Sequence, residues 1–163
     1  MALSRRKNMR LSGFDYTDAG QYFVTICLDT RELRFGQVHD GVMHQNVAGA
    51  QIEDVWTSLQ KRFPVLCLDS HVVMPDHVHG IPLLHDGSVD HPELSLGGVI
   101  KAFKSESTLA YIRGVRQLGW TPFSRKLWQY NYYEHIIRND RDLKTKRAYI
   151  DGNPARWQEK HSP

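Results

Sequence analysis

Two histidines one residue apart, His77 and His79, lie in the stretch Val73-Met74-Pro75-Asp76-His77-Val78-His79-Gly80, whose apolar and β-branched residues predict a strand. Side chains two positions apart on a strand leave the same face, about 6–7 Å apart at Cα, so the two imidazoles stand side by side. Imidazole is a good ligand for zinc, manganese and iron, and such a pair leaves other coordination positions open for a substrate, as a catalytic metal requires. The alternative reading is a hydrogen-bonded histidine pair at a strand start, with no metal.

A second group lies near the C-terminus, in the segment Arg141-Asp142-Leu143-Lys144-Thr145-Lys146-Arg147-Ala148-Tyr149-Ile150. At helical spacing Leu143 and Ile150 form the buried stripe, and Tyr149 shares a polar, cationic face with Asp142, Thr145 and Lys146. A phenol so placed is either a rim tyrosine or a nucleophile. Asn153 follows Tyr149 by four positions, so in a continuing helix its amide oxygen projects on the same side and completes a metal site. Pro154 disfavours helical geometry at Asn153 and makes that placement approximate.

The third group interleaves cations with rings from Lys101 onward: Lys101, Lys104, Arg113, Arg116, Arg125, Lys126, Arg138, Arg141, Lys144, Lys146 and Arg147 with Trp128, Tyr130, Tyr132 and Tyr133. Cations attract phosphates regardless of sequence, and exposed rings stack on unpaired bases. A solvated surface beside a core-packing aromatic strand is the plainer account.

The elements that must position these residues are legible in outline. Tyr22 to Leu28 reads as a central strand, apolar on both faces. A hairpin follows, Leu33 to Val38 and Gly41 to His44, turning at Asp40-Gly41. Asn46 caps a helix with Ile52, Val55, Trp56, Leu59 and Phe63 on its buried face, and Pro64 stops it. Val65 to Met74 and His77 to Leu84 are strands joined at Pro75-Asp76, with regular pairing expected to end near Pro82. His85 to Glu93 has the composition of a surface loop. Ser95 caps a helix over Leu96 to Arg113, Gly114 to Arg125 reads as irregular, and Trp128 to Ile137 reads as the last strand. Asn139 or Asp140 then caps a final helix ending at Gly152. This order predicts an α+β, ferredoxin-like βαββαβ sandwich, an antiparallel sheet with helices on one face plus a C-terminal tyrosine-bearing helix.

At 163 residues, 40% of them hydrophobic, the chain suits one domain, residues 1–163. A formal charge of +3 permits a polyanionic partner without requiring one. Cys27 and Cys67, each alone in an apolar run, read as core thiols in a reducing compartment. No stretch reaches the roughly 18 to 20 apolar residues of a membrane span, and Met1 to Lys7 lacks a signal peptide's apolar segment, so a soluble, cytoplasmic protein is expected. Gly97-Gly98 opens a helix without the lysine pattern of a phosphate-binding loop.

Taken together, these blocks resemble the single-tyrosine HUH transposases, in the branch of REP-associated tyrosine transposases. The resemblance rests on Tyr22-Phe23-Val24-Thr25, on Val73 to Gly80, on Phe103-Lys104-Ser105, on Leu127-Trp128-Gln129 with Tyr132-Tyr133-Glu134-His135-Ile136-Ile137-Arg138-Asn139, and on Tyr149-Ile150 with Asn153-Pro154, in family order. It implies that His77 and His79 bind Mg²⁺ or Mn²⁺, that Asn153 is the third ligand, and that Tyr149 is the nucleophile. The implied partner is single-stranded DNA beside a REP-like hairpin, contacted through Lys101, Lys104, Arg125, Arg138, Lys146 and Arg147. The implied reaction is a metal-assisted strand transfer through a 5′-phosphotyrosine, by a monomer or a homodimer.

The chain departs from the family pattern at Pro82, where an aliphatic residue is usual, and at Asp76, where Asn is common. Asp76 adds a carboxylate that either assists the metal or shapes the turn. Tyr132 and Tyr133 compete as nucleophiles but fit a packing strand better, and His135 is either structural or a DNA contact. Two other functions fit the same residues: a non-catalytic nucleic-acid-binding module on a ferredoxin-like sheet, and a zinc-dependent phosphoesterase that uses water.

Overall fold

The structure, a computed structural model, describes residues 19–85 and 95–161. Most of the expected surface loop after His85 and the N-terminal segment lie outside the described residues. Along the chain run β1 (Ala19–Cys27), the hairpin strands β2 (Gly36–His39) and β3 (Val42–Gln45), α1 (Val47–Arg62), β4 (Leu66–Met74), β5 (His77–His85), α2 (Leu96–Leu118), β6 (Tyr133–Ile136), α3 (Asp140–Asp151) and α4 (Asn153–His161). The main sheet has the order β4-β5-β1-β6 with every pairing antiparallel. With α1 and α2 as its two crossover helices, this is the ferredoxin-like arrangement. β2 and β3 form a separate two-stranded sheet, whose turn places Asp40 and Gly41 at φ 52° and 72°, as a tight hairpin with Asp-Gly at its centre requires.

Period-two alternation divides the main sheet into two unlike faces. Val24, Ile26 and Val78 point to one side, where they meet Ile52, Trp56 and Leu59 of α1 and Val99, Ile100 and Phe103 of α2 in one continuous core. Phe23 and Ile81 point to the other side and pack on Ile137 and Ile150, with Leu143 and Val72 at the margin. The expected buried stripe of the last helix, Leu143 and Ile150, therefore seats α3 on the second face of the sheet. Three of the four helices begin on a side chain read from the sequence: Asn46 accepts from the Gly49 N–H, Ser95 from Gly98 and Asn139 from Asp142.

Four local expectations are corrected. β5 runs on through Pro82 to His85, because β4 takes up an irregularity between Leu68 and His71, opposite this stretch. α2 continues beyond Arg113 to Leu118, since Gly114 provides a bare patch against which the Trp120 ring packs, and Gly119 in the left-handed region (φ 73°) ends it. Pro154 does not follow the last helix but lies at the second position of α4, where a missing N–H costs nothing. Cys67 is exposed and Cys27 half-buried, so neither is a core thiol. No helix among the described residues is long and apolar enough to cross a membrane.

Gly80, the last residue of the histidine stretch, lies against Trp56 so closely that an added Cβ would fall 2.3 Å from the indole Cζ2. A Gly80→Ala substitution is therefore expected to cost about 1–3 kcal/mol through overpacking. Urea unfolding of the variant checks this; an unchanged midpoint would contradict it.

Candidate active site

The pairing of β5 with β1 fixes the position of both histidines. His77 lies opposite Cys27 and His79 opposite Thr25, on the face turned away from α1 and α2. Both are buried, and their Nε2 atoms face each other at 3.1 Å. The outer nitrogen of each ring is occupied. His77 Nδ1 lies 2.6 Å from Asp76 Oδ1, and His79 Nδ1 lies 2.9 Å from Thr25 Oγ1. A carboxylate only accepts, so His77 donates from Nδ1 and turns Nε2 toward His79.

Asp76 is itself gripped from the far side by Arg31, whose Nε donates to Oδ2 at 2.9 Å. Burial alone would push the Asp76 carboxyl up, but the His77 and Arg31 contacts hold it below the usual carboxylate range. His79 is driven the other way, down to about 3, first by burial and then by the neighbouring His77 and the cations Arg156 and Arg31. It is neutral at physiological pH.

Tyr149 reaches the same place from α3. Its ring lies edge-on to His79, with centroids 5.4 Å apart, and edge-on to Phe23 at 5.7 Å, while the Arg156 guanidinium covers it at 4.1 Å. Arg156 also donates to the Tyr149 carbonyl oxygen. Phe23 stacks on His79 at 5.3 Å and is only 4% exposed, so one buried ring supports both the histidine and the tyrosine. Asn153 is buried, and its amide has no hydrogen-bond partner among the described residues. His77, His79, Tyr149, Asn153, Arg31 and Arg156 line one cavity of about 330 Å³, which Trp157 and Lys160 extend.

Among the described residues no group of three or more His, Cys, Asp or Glu could hold a metal. The two imidazoles with the Asn153 amide nevertheless form a donor set that fits a divalent ion. In the tautomer with protons on both Nδ1 atoms the two Nε2 lone pairs share one gap, an arrangement that a cation between them would stabilise, whereas in the other His79 tautomer Nε2–H donates to His77. Two ligands at right angles, each about 2.1 Å from one ion, stand about 3 Å apart, which matches the spacing of the pair.

The remaining residues singled out in the sequence fall in different places. Lys101, Lys104 and Arg125 line a groove of about 1170 Å³ with Trp128, Tyr130 and Tyr132, on the α2 side of the molecule. There Lys104 donates to the carbonyls of Gln129 and Tyr130 and sits over the Tyr132 ring at 5.6 Å. Tyr133 is on the histidine face, edge-on to Phe23 at 6.4 Å, but does not line the cavity. Arg138 is exposed, just before α3. Lys146 lies 3.4 Å from Asp142 and over the Phe23 ring at 5.9 Å. Arg147 grips both oxygens of Asp69, at 2.8 and 2.6 Å, and ties α3 to β4. His135 is bonded to Asp142 at 2.9 Å. Arg31, Arg156 and Trp157 escaped notice in the sequence, because nothing in their local pattern marks them, and Thr25, noted only as part of a matching block, had no role assigned; only the fold brings them to the cavity.

A protein of Haemophilus influenzae without a described function is 30% identical over 166 residues, which cover 96% of this chain and 92% of that protein. The chain belongs to its family. No protein-family model matches the chain. Among solved structures, a REP-associated tyrosine transposase bound to a REP hairpin has a TM-score of 0.63 and 21% identity, over 85% of this chain and 68% of that one. A candidate transposase from Deinococcus radiodurans has a TM-score of 0.52 and 18% identity, over 85% of this chain and 92% of that one. This chain thus shares the α+β fold of these two proteins.

The Asp69–Arg147 tie generates an acid-dependence. The Arg147 guanidinium holds the Asp69 carboxyl below its ordinary range, so the pair contributes stability above the unfolded value, about 3.9, that is lost as pH falls through the folded one. Arg147→Ala should cost a few tenths to about 1 kcal/mol at pH 7 and much less at pH 3. Urea unfolding at both pH values checks this, and an equal cost at the two would refute the assignment.

Proposed function

We propose that this chain is a single-tyrosine HUH transposase of the REP-associated branch, a metal-dependent enzyme that cuts and rejoins single-stranded DNA beside a hairpin. The observation that carries the reading is the convergence of the Tyr149 phenol, the facing Nε2 atoms of His77 and His79, and the buried Asn153 amide on one cavity. The likeness of fold to a transposase bound to a REP hairpin supports it.

The division of labour follows from the residue types. A phenol is a weak nucleophile, so Tyr149 needs its target polarised. His77, His79 and Asn153 would hold Mg²⁺ or Mn²⁺; when bound, the ion neutralises charge developing on a non-bridging phosphate oxygen. Asp76 and Thr25 fix the orientation of the two imidazoles. Phe23 and Arg156 confine the Tyr149 ring from its edge and its face, leaving the hydroxyl to approach phosphorus. Attack forms the Tyr149 Oη–P bond and breaks the P–O3′ bond, giving a 5′-phosphotyrosine and a free 3′-hydroxyl. One phosphoester replaces another, so a different 3′-hydroxyl can reverse the step without a nucleotide cofactor. Tyr149 meets the histidines of its own chain, which favours a monomer that supplies its tyrosine in cis.

Incubating the protein with a hairpin oligodeoxynucleotide bearing single-stranded flanks, in Mn²⁺ or Mg²⁺, should yield a covalent protein–DNA adduct on denaturing gels. Tyr149→Phe should abolish the adduct, whereas Tyr132→Phe and Tyr133→Phe should retain it. Replacing either histidine by alanine should lower its yield at least a hundredfold. An adduct that survives in Tyr149→Phe would overturn the assignment of the nucleophile, and cleavage without any adduct would favour a water-using phosphoesterase.

A further inference from the structure

Arg31 has three unusual properties at once. Its backbone lies in the left-handed region, φ 59°, which non-glycine residues adopt uncommonly and which, away from turns dictated by Asn, Asp or Gly, often accompanies functional sites. Its segment is held to the turn that carries the histidines: Leu28 N–H donates to the Asp76 carbonyl and Phe35 N–H to the Pro75 carbonyl, at 2.9 and 3.1 Å. Its side chain lines the cavity but uses only Nε, on Asp76, so that both Nη groups have no hydrogen-bond partner among the described residues.

An arginine that served only to close a salt bridge with Asp76 would do so best with both prongs of its fork, Nε and Nη together. Here one prong is fixed, the other has no partner among the described residues, and the side chain is about half exposed, at 48%. The other cations of the cavity are placed differently. Arg156 covers the Tyr149 ring and is bonded to that residue's carbonyl, and Lys160 lies on the exposed outer rim. Asp76, the carboxylate of the site, is already committed to His77 and Arg31. These donors, without a partner among the described residues, suit an anion.

We propose that Arg31 is a substrate-contacting residue: with Nε anchored on Asp76, its free Nη groups take a non-bridging oxygen of a phosphodiester entering the cavity beside His77. The inference rests on the DNA-transferase reading for the nature of the anion. It gives the left-handed backbone at Arg31 a role, since that conformation directs the guanidinium toward the turn and the cavity at once. It also gives a role to Asp76, where the family commonly has Asn: a carboxylate aims the arginine while it orients the histidine.

The test is a binding scan in the Tyr149→Phe background, where no strand is cut. A hairpin oligodeoxynucleotide with single-stranded flanks, drawn from the palindromic repeats of the source genome, is prepared as a series in which each flanking phosphodiester in turn is an uncharged methylphosphonate. Arg31→Ala should weaken binding of the unmodified oligonucleotide about tenfold or more, the worth of a hydrogen bond between charged groups. At one linkage of the series the loss should disappear, because the charge that Arg31 reads is already gone. Arg31→Lys, which keeps the cation on a shorter reach, should single out the same linkage with a smaller loss, and carries the scan should the alanine variant fold poorly. A loss equal at every linkage, or no loss at all, would overturn the proposal. Should one linkage stand out while the unsubstituted protein forms no covalent adduct, the transferase reading would fall and Arg31 would remain a phosphate contact.

Discussion

The antiparallel register between β1 and β5 is the constraint on which the site depends. Side chains alternate with a period of two, so a slip of one residue would turn His77 and His79 into the apolar core and Val78 out into the cavity. What forbids the slip lies mainly on the opposite face. Val24, Ile26 and Val78 are fully buried under α1 and α2, and the bare backbone of Gly80 is covered by the Trp56 indole. Exposing those residues would forfeit several kcal/mol of burial, at about 1.5–3 kcal/mol for each large apolar side chain. Packing on one face thereby sets the chemistry on the other.

The second face is built on a smaller scale. Its apolar seat for α3 is the group Phe23, Ile81, Ile137 and Ile150, with Leu143 and Val72 at the edge. Phe23 carries more than burial, since it stacks on His79, meets Tyr149 edge-on and lies under the Lys146 ammonium. Ring contacts are directional, so they fix the angle between the tyrosine and the histidines in a way that aliphatic packing would not. The Asp69–Arg147 pair adds a polar tie at the other side of α3. A helix held by one small cluster and one exposed ion pair belongs to the less firmly fastened part of a fold. Such an attachment leaves the Tyr149 helix freer to shift than the strands that carry the histidines.

Much of this was legible in the sequence, for reasons that differ among elements. β1, α1 and β5 announce themselves because long apolar runs, a capping Asn46 and a tight Pro-Asp turn are local signals. His77, His79, Tyr149 and Asn153 were legible as residue types in a pattern, and the fold gathers them. The end of α2 and the role of Pro154 were not legible, because Gly114 and Pro154 are local breakers that tertiary packing and helix position overrule. Arg31 was invisible for a further reason. Its partner Asp76 is 45 residues away in sequence, and only the pairing of β1 with β5 brings the two together.

Electrostatics gives the last link between fold and function. Taking His79 out of water disfavours its charged form, and the cations Arg31 and Arg156 add to that penalty. The same cations that suppress protonation of the imidazole raise the potential for an incoming anion, so one arrangement keeps the imidazole neutral and makes the cavity cationic. A carboxylate placed freely in the cavity would undo both effects. Asp76 escapes this conflict because its charge is spent between His77 and Arg31 before any substrate arrives. The site can therefore carry an acidic residue and still present a cationic cavity.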